Sequence, residues 1–504
     1  MKIVHNTTVI TSAGGTVRTL HNHSLVFDAG QIGELAPASD FQQRIAAGEY
    51  EEVITGERHV VIPGLVNTHH HLFQALTRCL PAAQNDRLFA WLVKLYPRWR
   101  HLDYEAVNVA AKVSIAELLL HGCTTTNDHF YMVPPDGDVK MEAVLEAGDE
   151  LGIRLHLCRG SMTLGASRGG LPPDDCVEND SDVLADCQRV LDKYHDTSEY
   201  ALRRIDLAPC SPFNCTRELL RDTAIMARER GGVLLHTHLA ETLDEERFCR
   251  QRYGCRPVQF LADLGFLGPD VYLAHGVYLN DDEITLLAST GTGVSHNPSS
   301  NMRLGSGIAP IRKLLDRGVR VGLGVDGSGS NDGGNLLGEA RQALLVARVL
   351  QGIEAGTEAL RHEDTECADK GTKGRRDGEP GAMLRAMPSR RHGHPLNDAE
   401  PLFPVADAFR LATLGGASCL NRPVLGHVNP GAAADFAMFR TDDIALAGAF
   451  VQDPLAALML CATPRAERVY VAGREVVCAG RIVALDENRL AEQMNRIVAT
   501  RFGG

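Results

Sequence analysis

The middle of the chain, residues 61–425, alternates short apolar runs with longer amphipathic segments. Short apolar runs bounded by turn residues are typical of buried strands, and apolar positions that recur every three or four residues indicate helices. The runs that predict strands are GLVNTH, CTTTNDHF, IRLHLCRG, IDLAPCSP, GVLLHTHLAE, VYLAHGV, TGVSHNP and VGLGVDG. Eight strands that alternate with helices predict an α/β fold, the (β/α)8 or TIM barrel. An open, doubly wound sheet is the alternative, but no glycine-rich phosphate loop follows the first strand.

The two ends of the chain have a different pattern from the middle. Residues 1–60 and 426–490 alternate apolar and polar positions in short runs, such as HSLVFDAGQIGEL and ERVYVAGREVVCAGRIV, separated by turn residues. This pattern is typical of short strands and hairpins. It predicts a small, discontinuous β-sandwich domain that is assembled from both chain ends and accompanies the barrel.

Residues 352–400 depart from the rhythm of the barrel. They are rich in charged residues, glycine and proline and show little apolar periodicity. Long structureless loops are uncommon inside compact domains. We therefore expect a mobile insertion after the eighth helix.

Composition excludes several classes of partner. The 504 residues carry a net charge of −13, and no block of lysine and arginine stands out, so nucleic acid is not an expected partner. No apolar run approaches the roughly 20 residues that span a bilayer, and the polar N-terminus does not read as a secretory signal, so no membrane association is expected. The thirteen cysteines are scattered singly, which predicts reduced thiols and a cytoplasmic location.

Histidine and aspartate residues recur where the predicted barrel strands end. In PGLVNTHHH the strand period of two places His69 and His71 on one face. His238 follows the fifth strand, and Asp326 follows the eighth. Each residue alone is equally consistent with a core or loop role. Together, at the active end of a barrel, they predict one divalent metal ion, Zn²⁺ or alternatively Fe²⁺, with a position left for water.

Three further roles follow if a metal lowers the pKa of its water to about 7. Glu241, three residues beyond His238, is a candidate proton carrier, although a carboxylate before a helix is also common. His275 is a candidate to orient the water or stabilise developing charge. Asp326 is a candidate both as ligand and as proton relay.

The cytidine type of zinc deaminase has a different signature, His-x-Glu followed by Pro-Cys-x-x-Cys. Here PCSPFNC separates Cys210 and Cys215 by four residues, and no His-x-Glu precedes it. That design is excluded, and these cysteines are interpreted as packing residues.

As an ordered set, PGLVNTHHH, HTHLAE, LAHGV, SHNPSSNMRLGSG, GLGVDGSGSND and GHVNPGAAADF resemble the amidohydrolase superfamily. The chain is similar to its aminohydrolase branch, which contains guanine, cytosine and S-adenosylhomocysteine deaminases and triazine hydrolases. The resemblance implies a single metal, because the fourth strand carries no lysine that could bridge two ions. It also implies a homo-oligomer as a candidate assembly. The implied ligands are His69, His71, His238 and Asp326, with Glu241 as proton shuttle and His275 as the water-orienting group.

Four stretches, among them GCTTTNDHFYMVP and SNDGGNLLGEARQALLVARV, resemble the 8-oxoguanine deaminases. That resemblance implies attack of water on the amino-bearing C2 of this heterocycle, giving urate and ammonia. Gln74 is then a candidate to bind a ring carbonyl or amide, although it is equally placed to cap a helix that begins near Ala75. The other candidates for the substrate pocket are Arg159 and Cys210, with Trp91, Tyr131 and His129 as weaker ones.

Other functions remain open at this point. Isocytosine, guanine or S-adenosylhomocysteine deamination and triazine hydrolysis use the same chemistry, because a few loop residues choose the small-molecule heterocycle. A hypothesis of a different class is an inactive, amidohydrolase-like scaffold. The presence of every expected ligand counts against it.

Overall fold

The computed structural model describes residues 1–134, 140–370, 401–461 and 464–502, with side chains described for all of these except 358–370. The strands are β1 (Lys2–Ala13), β2 (Thr16–Phe27), β3 (Ile32–Pro37), β4 (Glu52–Thr55), β5 (His59–Pro63), β6 (Leu65–Asn67), β7 (Cys123–Phe130), β8 (Arg154–Ser161), β9 (Arg203–Pro209), β10 (Leu235–Leu239), β11 (Val271–His275), β12 (Gly293–His296), β13 (Val321–Leu323), β14 (Phe436–Arg440), β15 (Arg468–Val471), β16 (Arg474–Cys478) and β17 (Arg481–Ile482).

The α-helices lie mostly between the strands. They are α1 (Gln42–Ala46), α2 (Leu88–Trp99), α3 (Tyr104–Leu120), α4 (Glu142–Leu151), α5 (Asp180–Tyr194), α6 (Arg217–Arg230), α7 (Leu243–Tyr253), α8 (Pro257–Asp263), α9 (Asp281–Thr290), α10 (Pro298–Arg303), α11 (Ile311–Asp316), α12 (Leu336–Lys370), α13 (Val405–Arg410), α14 (Gly416–Cys419), α15 (Ala449–Gln452), α16 (Pro454–Ala456) and α17 (Glu487–Ile497). None of these described helices is long and apolar enough to cross a bilayer.

Strands β6 to β13 close a parallel barrel in chain order. The last strand pairs with the first through Leu323 and Asn67, which completes the closure. All eight predicted strands are present, so the predicted TIM barrel is confirmed. The C-terminal ends of parallel strands meet at one rim, and the loops that follow them therefore build one site.

The two chain ends form a second β unit, as predicted. Strands β1 to β5 and β14 to β17 are connected into one sheet of nine strands. The halves meet where β5 pairs antiparallel with β14. In its core Phe27, from the N-terminal half, lies 5.0 Å from Phe436 and 5.2 Å from Tyr470, measured between ring centroids.

One expectation about the insertion is wrong for its first part. Helix α12 continues to Lys370, so residues 352–370 are helical and not a loop. This segment contains four glutamate and three alanine residues, which favour helix even without an apolar stripe. Residues 352–357 are exposed, and an exposed helix needs no apolar periodicity. Residues 371–400, the remainder of the predicted insertion, lie outside the described residues.

Candidate metal-dependent active site

Four predicted ligands converge at the C-terminal rim of the barrel. The Nε2 atoms of His69 and His71 each lie 3.4 Å from Oδ1 of Asp326. The Nε2 atoms of His71 and His238 lie 3.0 Å apart. The predicted set is therefore brought together from the ends of β6, β10 and β13.

Hydrogen bonds at the far side of two rings fix which nitrogen faces the site. Nδ1 of His71 donates to the carbonyl of His129 at 2.7 Å. Nδ1 of His238 donates to the carbonyl of Cys210 at 2.7 Å. Because Nδ1 carries the proton, Nε2 of each neutral ring keeps its lone pair for a ligand.

His69 is oriented by another histidine. Its Nδ1 lies 2.7 Å from Nε2 of His236, while Nδ1 of His236 donates to the carbonyl of Tyr272 at 2.7 Å. Nε2 of His236 therefore accepts a hydrogen bond from Nδ1 of His69, and Nε2 of His69 points to the site. That Nε2 atom is buried and has no hydrogen-bond partner among the described residues.

These observations fit a divalent metal. An unpaired buried nitrogen is costly unless something binds it, and the three imidazoles and one carboxylate are the ligands that Zn²⁺ and Fe²⁺ prefer. Burial lowers the pKa of His71, which favours the neutral ring that metal binding requires. His129 also lies close to His69 and His238. Its Nε2 donates to the carbonyl of Ala208 at 2.9 Å, and its Nδ1 is buried without a hydrogen-bond partner among the described residues.

Glu241 and His275 lie beside the ligands. Nε2 of His275 is 3.7 Å from Oε2 of Glu241 and 3.9 Å from Oδ2 of Asp326. Nδ1 of His275 donates to Oδ1 of Asn301 at 2.9 Å, which directs Nε2 into the site. Burial raises the pKa of Glu241, and its Oε1 accepts a hydrogen bond from Ser306 at 3.2 Å.

Strained turns direct these side chains. Ala240, His275 and Asp326 have φ angles of 54°, 77° and 60°, in the left-handed region that residues other than glycine rarely adopt. Glu245 holds the first of these turns, because its carboxylate accepts the backbone N–H groups of Ala240 at 3.0 Å and Glu241 at 2.9 Å.

The alternative role for Glu241 as a helix-terminal carboxylate does not hold. The side chain that caps α7 is Thr242, which accepts from the backbone N–H of Glu245. Glu241 instead turns toward Ser306 and His275. Its carboxylate is therefore available for proton transfer.

A cavity opens above this cluster, between strand-end residues and helix α2. Gln74 and Cys210 line it, as predicted, and so do Tyr131 and Trp91. The full lining comprises His71, Gln74, Leu88, Trp91, Leu92, Tyr131, Cys210, Phe213, Asn214, His238, Glu241, His275, Leu304, Asp326 and Ser330.

Gln74 does not cap a helix. It lies within a short 3-10 helix, Leu72–Thr77, that has no side-chain cap. Its Nε2 donates to the hydroxyl of Tyr131 at 3.3 Å, and its Oε1 is buried without a hydrogen-bond partner in the described part of the chain. Of the two roles left open by the sequence, the structure favours the one in the pocket.

Arg159 is not brought to the cavity. Its guanidinium is buried between Glu178, at 2.5 Å, and Asp186 of α5, at 2.6 Å. The cause is the strand period of two, because Cys158 faces the barrel interior, where Asn127 contacts it, and Arg159 faces the surrounding helices. The expectation that Arg159 contacts substrate is therefore wrong.

Three residues with a place in the site were not assigned a role from sequence. His236 shares a strand face with His238, so the same period of two could have identified it. Asn301, in SHNPSSNMR, orients His275. Asn214 lines the cavity, but nothing in PCSPFNC signals this.

Comparison with known proteins agrees with this fold and site. A sequence model described as the amidohydrolase family matches residues 60–364 and 371–480. The chain therefore belongs to the amidohydrolase family.

Individual relatives cover nearly the whole chain. The 8-oxoguanine deaminase of Pseudomonas aeruginosa is 43% identical over 92% of this chain and 91% of that protein. An isoxanthopterin deaminase from an unknown prokaryotic organism is 34% identical over 93% of this chain and 89% of that protein. The crystal structure of the atrazine chlorohydrolase of Arthrobacter aurescens complexed with zinc superimposes with a TM-score of 0.84 at 31% identity, covering 99% of this chain and 100% of that chain.

The family and the converging ligands define the class of this protein. It is a hydrolytic deaminase that acts on C–N bonds and uses a divalent metal.

Proposed function

We propose that the protein removes the amino group at C2 of 8-oxoguanine, giving urate and ammonia, with one Zn²⁺ ion in the site. The observation that carries the reaction type is the position of Glu241 beside His275 and Asp326, at the edge of the ligand cluster. The 43% identity to an 8-oxoguanine deaminase over 92% of the chain supports the choice of heterocycle.

His69, His71, His238 and Asp326 would hold the ion. When bound, a divalent ion supplies Lewis acidity, which makes a water molecule acidic enough to react near neutral pH. The protein groups then provide position and proton transfer.

Glu241 moves the first proton. Its pKa is raised by burial, so the carboxyl group exchanges protons more readily near neutral pH than an exposed glutamate. It takes a proton from the attacking water and gives it to the ring nitrogen next to C2. The water oxygen then forms its bond to C2, and the ring C=N bond becomes a single bond.

Collapse of this adduct releases ammonia. The proton of the hydroxyl group on C2 passes to the exocyclic nitrogen through the carboxylates of Asp326 and Glu241. His275 lies between these two carboxylates. The C2–N bond breaks, the water oxygen remains as the C2 carbonyl, and the sum is one water consumed for one ammonia formed. Gln74 supplies an unpaired amide oxygen that accepts an N–H of the reacting ring.

The test is ammonia release from a panel of 8-oxoguanine, isocytosine, guanine, S-adenosylhomocysteine and a hydroxytriazine, with Zn²⁺ supplied. Glu241→Gln is expected to lose about 1,000-fold in kcat, because it removes the proton shuttle and leaves the shape. Glu246, in α7, pairs with Arg250 and Arg256 outside the cavity, and Glu246→Gln serves as the matched control. Ammonia release from another compound of the panel alone would mean that this compound, and not 8-oxoguanine, is the substrate. No ammonia release from any compound by the metal-loaded protein would overturn the proposal.

A further inference from the structure

We propose that Asn214 is a specificity-determining residue that binds the second ring of a fused bicyclic substrate, the ring remote from the amino group. This inference rests on the proposed function and names the substrate class more narrowly. Asn214 follows β9, is 1% exposed and lines the same cavity as Glu241. Its Oδ1 atom is buried and has no hydrogen-bond partner among the described residues.

The other half of the amide is held in place. Nδ2 of Asn214 lies 3.3 Å from the hydroxyl of Tyr96, on α2, and 3.3 Å from Sγ of Cys210. Tyr96 is fully buried, so this support is rigid. The orientation leaves Oδ1 as an acceptor whose cost of burial a ligand N–H would remove.

Asn214 is linked to the metal ligands through Cys210. Sγ of Cys210 is 3.8 Å from Nδ1 of His238, a predicted ligand, and 3.3 Å from Nδ2 of Asn214. The contacts therefore run from His238 through Cys210 to Asn214 and on to Tyr96. A heterocycle whose reacting carbon lies at the ligands extends toward Asn214 only if it carries a second ring.

Gln74 lies in a different part of the cavity. Its amide is packed against Gly327, where an added Cβ would lie 2.0 Å from Oε1 of Gln74. Gly327 directly follows Asp326, so Gln74 lies next to the ligands. The two unpaired amide oxygens thus contact different parts of the substrate. That of Gln74 contacts the reacting ring, and that of Asn214 contacts the second ring.

This arrangement selects substrates by the hydrogen-bonding groups of their second ring as well as by their size. A second ring that presents an N–H, as the cyclic urea of 8-oxoguanine does, satisfies Oδ1 of Asn214. Isocytosine has the same amino-bearing reacting ring and no second ring. A site built to pair with a substrate N–H discriminates strongly against compounds that lack it.

The experiment compares kcat/KM for 8-oxoguanine and isocytosine in the Zn²⁺-loaded protein. Asn214→Leu is expected to lower the value for 8-oxoguanine about 10- to 100-fold and the value for isocytosine less than about 3-fold. Asn214→Asp, which keeps an acceptor oxygen, is expected to retain most of the preference. Asn108→Leu, which removes an amide bound to the carbonyl of Ala143 on the outer helices, is the matched control and should change neither.

A second measurement needs no variant and so does not depend on whether Asn214→Leu folds. Methylation of 8-oxoguanine at N7 or at N9 blocks one N–H of the second ring, and one of these compounds should lose about as much as Asn214→Leu does. Equal losses on both substrates in Asn214→Leu, or full activity on both methylated compounds, would overturn the inference alone. No release from either parent substrate by the wild-type protein would overturn the proposed function as well.

Discussion

The cavity has two parts that differ in how their polar atoms are paired. The polar part comprises His71, His238, Glu241, His275 and Asp326, with His69 beside them, and hydrogen bonds within the protein fix which nitrogen of each imidazole faces the site. The apolar part comprises Leu88, Trp91, Leu92 and Phe213, interrupted by the amides of Gln74 and Asn214. Among the described residues, the amide oxygens of these two side chains have no hydrogen-bond partner. The polar part is therefore oriented by the protein itself, whereas in the proposed function the two amide oxygens bind the substrate.

This difference separates mechanism from specificity. Relatives that share the family carry names for different heterocycles, 8-oxoguanine, isoxanthopterin and atrazine among them. One arrangement of metal ligands and proton carriers can serve all of these, and a change of wall residues can alter the choice. Substitutions in the polar part should therefore abolish turnover, whereas substitution of Asn214 in the apolar part should change the preference among substrates.

Removal of the metal is expected to have the largest effect. Dialysis against a chelator should lower ammonia release more than about 1,000-fold, and added Zn²⁺ should restore it, because no other group makes the water acidic. His238→Ala should lose the activity without restoration. Metal content measured by mass spectrometry checks both, with His121→Ala, whose ring bonds the carbonyl of Glu117 outside the cavity, as control. Full activity in a metal-free sample would contradict the assignment of the polar part.

The next effect tests the orientation of His69. His236→Leu removes the acceptor of the proton on Nδ1 of His69 and should weaken Zn²⁺ binding about 10- to 100-fold. At saturating Zn²⁺ much of kcat should return, because His236 contacts the ligand His69 but does not line the cavity. Competition with a coloured chelator measures the affinity. Unchanged Zn²⁺ affinity would mean that the hydrogen bond between His69 and His236 does not contribute to metal binding.

The polar part could be predicted from sequence, but much of the apolar part could not, for a physical reason. His69, His71 and His238 lie at or just after the ends of apolar runs, so the geometry of a parallel barrel alone places them at one rim. Leu88 and Leu92 lie in α2, and their approach to the cavity depends on tertiary packing that no local pattern encodes. Asn214, which lies in a loop, is hidden for the same reason.

The errors have equally specific causes. Arg159 follows a strand pattern, but its parity places it on the outer face of β8. The helical stretch 352–370 lacks apolar periodicity, and its residues 352–357 are exposed, where a helix needs none. Helix propensity alone would have predicted the helix at 352–370. The alternation of side chains along β8 would have predicted that Arg159 faces outward.

Gln74→Leu is expected to have a smaller effect, shared by all substrates. It removes the unpaired oxygen beside the reacting ring, which should lower kcat/KM about 10-fold for 8-oxoguanine and isocytosine alike. The ratio of kcat/KM for 8-oxoguanine to kcat/KM for isocytosine should remain within about 3-fold of the wild-type ratio. A collapse of that ratio instead would place Gln74 at the second ring and contradict the division between the two amides.

The smallest effect on catalysis is expected from Arg159→Met. Arg159 contacts Glu178 and Asp186 and does not line the cavity, so kcat/KM for 8-oxoguanine should stay within about 3-fold of wild type. The fold should nevertheless suffer, because removal of one member of a buried ion pair leaves an uncompensated carboxylate. The loss is about 3 kcal/mol for fully buried pairs and less here, since the Asp186 side chain is 29% exposed. Thermal unfolding should show a midpoint lowered by several degrees, and adding Asp186→Asn should recover part of it. A large rise in KM with an unchanged midpoint would instead return Arg159 to the substrate pocket.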